Sequence, residues 1–81
     1  MQLYEIGLKI RELRKDKKLT QEYLSELSGI SRVTLGKLER GEVSSVSIKT
    51  LDIILDALDY EIDMKSKNRD SFGLPSLDNI I

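Results

Sequence analysis

Apolar side chains recur along the first two thirds of the chain at steps of three and four. Leu3, Ile6, Ile10 and Leu13 fall on one face of a helix running from Leu3 to about Lys17, with Lys9, Glu12 and Lys15 turned outward. Residues 16–19 break that period. Thr20 then stands where an N-cap is needed, before a second helix from Gln21 to about Ser28. Gly29 follows, at the place where a helix commonly ends in the left-handed conformation. Ser31 caps a third helix from Arg32 to Arg40, which Gly41 closes in the same manner. After the loop EVSSVS, Ser47 opens a fourth helix to about Leu58. Its stripe of Ile48, Leu51, Ile54, Leu55 and Leu58 reads as core. Beyond it the period shortens to two. Tyr60, Ile62 and Met64 alternate with Glu61, Asp63 and Lys65, the pattern of a short strand.

These elements predict an all-α fold of four helices with a short C-terminal β-strand. The expected divisions are a helical domain over 1–59, a strand over 60–65 and a flexible tail over 66–81. The tail is polar and irregular, with Gly73, the single Pro75 and scattered Phe72, Leu74, Leu77, Ile80 and Ile81. A lone strand is not stable unpaired, so Tyr60, Ile62 and Met64 are expected to pair with their counterparts in a second copy of the chain.

Composition narrows the chemistry. The 81 residues make one small domain, with no cysteine and no histidine. Thiol chemistry, disulfides and the usual zinc ligands are therefore excluded, along with the commonest general base. No catalytic residue, metal or cofactor is expected. There is no apolar run long enough to span a membrane and no signal-like N-terminus, so a cytoplasmic, nucleoid-associated protein is expected. The net charge is −1, but it is unevenly spread. Residues 1–40 carry nine basic and six acidic side chains, a net of +3; residues 41–81 carry four and eight, a net of −4. A basic front and an acidic rear result.

Helices two and three, joined by a turn of three or four residues, carry the signature of a helix-turn-helix. On a helical wheel Leu35, Leu38 and Glu39 share one side of the third helix, and the leucines make it the core side. Val33, Lys37 and Arg40 point the other way, with Gly36 beside them and Arg32 at the flank. A recognition helix meets base edges with its first turn. Arg32 there suits a bidentate pair to guanine, and Val33 suits a thymine methyl. Lys37 reaches a base or a phosphate. Gln21, Ser31 and Thr34 are further donors for the phosphate backbone.

The run LTQEYLSELSGISRVTLGKLERG, Leu19 to Gly41, resembles the lambda-repressor-like, or Xre-type, helix-turn-helix family. Ile6-Gly7, Ile10, Leu13-Arg14, Leu19-Thr20-Gln21, Leu24, Gly29-Ile30-Ser31, Leu35, Leu38-Glu39 and Gly41 match its pattern in order and spacing. The resemblance covers roughly residues 5–58. It implies a structural ion pair between Arg14 and Glu39, and double-stranded operator DNA read by a homodimer. The fourth helix running straight into a strand resembles HipB-type antitoxins. That resemblance implies autorepression of a toxin–antitoxin operon and neutralisation of a HipA-type Ser/Thr kinase. Two other readings stay open: a stand-alone or phage-type regulator without a toxin, and a helical protein-interaction module that has lost DNA binding.

Overall fold

A computed structural model of the chain describes residues 1–67. Among the described residues four α-helices follow one another: α1 (Leu3–Asp16), α2 (Gln21–Ser28), α3 (Arg32–Glu39) and α4 (Ile48–Ala57), with a 3-10 turn at Val43–Ser45 between α3 and α4. Three helix starts are set by hydroxyls. Thr20 Oγ1 accepts from the Tyr23 N–H at 3.0 Å, Ser31 Oγ from Thr34 N–H at 3.0 Å, and Ser47 Oγ from Thr50 N–H at 3.1 Å. Each satisfies a donor that the first turn leaves without a partner.

The helix ends share one device. In each of the four, a residue just past the end turns left-handed: Lys18 (φ 60°), Gly29 (φ 71°), Gly41 (φ 99°) and Asp59 (φ 66°). The next N–H then reaches back to a carbonyl five residues earlier: Leu19 to Arg14 at 3.1 Å, Ile30 to Ser25 at 3.2 Å, Glu42 to Lys37 at 3.0 Å, and Tyr60 to Leu55 at 2.8 Å. These are Schellman endings, and they keep every connection short. At Lys18 the side chain crowds a backbone conformation that glycine enters freely. Lys18→Gly is therefore expected to stabilise the fold by about 1 kcal/mol, after the entropy glycine adds to the unfolded chain is offset. Urea unfolding followed by circular dichroism reads the change; a loss of stability would refute it.

The core is Ile10 and Leu13 from α1, Leu24 from α2, Leu35 and Leu38 from α3, Ile54 from α4 and Leu58 just past its end. Helix α1 lies against α3, while α2 bridges α3 and α4. The closest approach is made by Gly7. A Cβ built there would overlap the Leu38 carbonyl oxygen and lie 2.7 Å from its carbonyl carbon. Ser25 is buried with its hydroxyl bonded to the Glu22 carbonyl at 2.7 Å, whereas the Ser28 hydroxyl is buried with no partner.

Three expectations change. Leu3 is 68% exposed and Ile48 77% exposed, so neither belongs to the core. Both are the first residue of their helix, at the end of the apolar stripe where a helix has fewest neighbours. Among the described residues there is no β-strand: 60–65 carries no ladder, because no other described segment pairs with it. Tyr60 and Ile62 instead line an apolar groove with Ile6, Ile10, Leu51 and Leu55. The tail expected over 66–81 lies outside the described residues from 68 onward. No helix among the described residues is long and apolar enough to cross a membrane.

Candidate nucleic-acid interface

Helix α3 divides cleanly by burial. Leu35, Gly36, Leu38 and Glu39 face inward; Arg32, Val33, Lys37 and the capping Arg40 are exposed, with Val33 at 68%. The exposed face of this helix thus carries three cations and no acid, since Glu39 is 2% exposed.

Beneath it lies the Arg14–Glu39 pair. Arg14 Nε donates to Glu39 Oε2 at 2.8 Å and Nη2 donates to Oε1 at 2.9 Å, a bidentate fork. The remaining Nη1 donates to the Leu19 carbonyl at 2.7 Å. Gln21 Nε2 donates to Glu39 Oε1 at 3.1 Å. One guanidinium and one carboxylate thereby tie α1, the turn before α2, the start of α2 and the end of α3. The charges are compensated, and all the groups that hold them are within the chain.

The sequence-derived contact residues fall into two groups. Arg32, Val33, Lys37 and Arg40 present free side-chain ends to solvent, apart from a 3.7 Å approach of Arg40 Nε to Glu42, with both side chains more than half exposed. Ser31, Thr34 and Gln21 already have structural work. The Ser31 hydroxyl caps α3 and bonds Thr34 Oγ1 at 2.9 Å, and the Gln21 amide nitrogen is bound to Glu39. Ser31 is exposed and Gln21 and Thr34 are half-buried, so their remaining lone pairs still border the surface.

Two residues stand differently from the wheel. Gly36, placed beside Lys37 on the outer face, is buried. It lies next to the Arg40 side chain, so the surface of α3 closes over it. A Cβ at Gly36 would meet Arg40 Nη1 at 3.4 Å and nothing else within 4 Å. Its backbone is not left-handed. The fold tolerates alanine there, and glycine inside a helix costs about 1 kcal/mol against alanine. Arg11 escaped the sequence reading altogether. It lines one hollow with Gln21, Gly36, Glu39 and Arg40. Its exposure on α1 was legible, but its nearness to α3 comes from a packing that no local pattern reports.

Two helices set by hydroxyl caps, joined across Gly29 and braced from below, define a helix-turn-helix module with an exposed basic second helix. The helix-turn-helix family model matches residues 10–64, and the chain belongs to that family, in the lambda-repressor-like form. Among solved structures it is similar to the restriction-modification controller protein C.AhdI from Aeromonas hydrophila. The two share 42% sequence identity with a TM-score of 0.67, over 73% of this chain and 88% of the controller. Among curated proteins none matches the chain.

Proposed function

We propose that this protein is a sequence-specific, dimeric regulator of transcription that binds double-stranded DNA through α3 and works by binding, not catalysis. The observation that carries this reading is the exposed face of α3, with Arg32, Val33, Lys37 and Arg40 free of acidic neighbours on the helix and held on a rigid buried brace. Arg32 and Val33 occupy the first turn, the part that meets base edges, and Lys37 and Arg40 follow for phosphates. A single such module covers few base pairs, which favours two copies on paired half-sites. Tyr60 and Ile62, half exposed beside the apolar groove, are the candidate contacts between copies, with Met64 next in line.

The likeness to a restriction-modification controller supports a regulator without a kinase partner over the HipB-type antitoxin. The antitoxin reading rests on a strand at 60–65, which is absent among the described residues.

The test is a mobility shift with the full chain on a duplex selected from a randomised pool. Salt-sensitive binding is expected, and failure to shift any duplex at low salt overturns the reading. Arg32→Ala should weaken binding by about 1–3 kcal/mol and relax specificity at one base position. A uniform loss across all sequences would place Arg32 on a phosphate instead.

A further inference from the structure

We propose that the hollow formed by Arg11, Gln21, Gly36 and Arg40 holds one phosphate of the duplex backbone, with Gly36 as the floor that keeps it open. This rests on the DNA-binding reading and extends it to α1. Three elements converge there: Arg11 comes from α1, Gln21 is the first residue of α2, and Gly36 and Arg40 belong to α3 and its end.

The charge of the hollow is positive. Its lining includes one acid, Glu39, which is buried and bound by Arg14 and Gln21. Arg11 makes no ion pair among the described residues, and Arg40 has only its long, exposed approach to Glu42. A neighbouring hollow holds Arg14, Thr20, Gln21 and Arg32, but the exposed Glu22 lines it too and repels an anion. Gln21 borders both, so the proposed site is continuous with the side of the molecule where Arg32 stands.

Gly36 supplies the second, independent strand of the case. It sits inside a helix where glycine is unfavourable, without a left-handed backbone and without a packing clash that would exclude alanine. Nothing among the described residues requires it. A methyl group at that point would take up room on the floor of the hollow, in van der Waals contact with the Arg40 guanidinium, whose Nη1 lies 3.4 Å from where the Cβ would stand. An oxygen-rich ligand seated between two guanidiniums gains from the room that a missing side chain leaves.

Two variants of the full chain test the site on the selected duplex, each with its thermal melt recorded beside it. Gly36→Ala should melt at or above the wild-type temperature yet bind on the order of tenfold more weakly, alike on cognate and mixed-sequence duplexes, as loss of a phosphate contact requires. Arg11→Gln should reduce the slope of log Kd against log salt by about 1. Wild-type affinity and slope in both variants overturn the site, as does a lowered melting temperature for Gly36→Ala, which would make that glycine structural. A wild-type chain that shifts no duplex overturns the DNA-binding reading and the site with it; a wild-type chain that binds beside indifferent variants overturns the site alone.

Discussion

Arg14→Met is expected to destabilise the fold by about 3–5 kcal/mol, because it leaves the buried Glu39 carboxylate with the Gln21 amide as its one remaining donor. Domains of this size have about 5–15 kcal/mol in total, so the single change removes from about a fifth to nearly all of it. Much of that cost is the stranded charge, not the lost attraction. Arg14→Met with Glu39→Leu together should therefore recover most of the stability, since two apolar side chains of similar volume suit the same site. Urea unfolding by circular dichroism checks both. A loss below about 1 kcal/mol in the single variant would mean that water reaches Glu39. A double variant no better than the single would mean that the Nη1 contact to the Leu19 carbonyl carries the turn.

The second large effect is steric. Gly7→Ala places a methyl on the Leu38 carbonyl group, and that obstacle is backbone, so no rotamer change relieves it. Helix α1 has to retreat from α3. The Arg14–Glu39 fork spans the same two helices, so the retreat would stretch it as well, and the two losses would not be independent. A cost of about 3 kcal/mol is expected, at the upper end of overpacking. At this chain length that lowers the melting temperature on the order of 15 °C. Differential scanning calorimetry reads it directly, and an unchanged melt would show that α1 can slide without loss. Gly36→Ala is the natural control: the same substitution inside α3, where the added methyl meets Arg40 Nη1 alone at 3.4 Å, with the opposite expected sign.

The contrast shows what local sequence carries. Thr20, Ser31 and Ser47 were legible as caps because the hydroxyl and the N–H it satisfies lie three residues apart. Gly29 and Gly41 were legible as helix stops because glycine advertises the left-handed turn. Lys18 and Asp59 make the same turn and were not legible: a lysine side chain disfavours it, and an aspartate, though commoner there than most residues, does not mark it as glycine does. The inward side of Glu39 could be read from the wheel, while its fork with Arg14 came through the family resemblance. The additional bonds to Gln21 and the Leu19 carbonyl depend on how three helices meet. Gly7 is a further case: a glycine in a helix does not reveal what stands opposite. The alternation at 60–65 is real in the sequence, but a strand is a relation between two segments, and no second segment among the described residues supplies the other half. Leu3 and Ile48 show the reverse error, in which the period extends past the packing that gave it meaning.

The hydrogen bond from Gln21 to Glu39 has a thermodynamic consequence for association. It fixes the amide of Gln21 and the start of α2 before any ligand arrives, so little backbone freedom is left to lose on docking. The ordering cost falls instead on the free side chains Arg32, Lys37 and Arg40, at about 0.5–1.5 kcal/mol for each one immobilised. A loose, mixed-sequence complex that leaves those three mobile escapes most of that cost, whereas a tight specific one bears it. The gap between the two modes is then narrower than the contacts alone would make it, which favours a protein that searches long stretches of DNA before it settles.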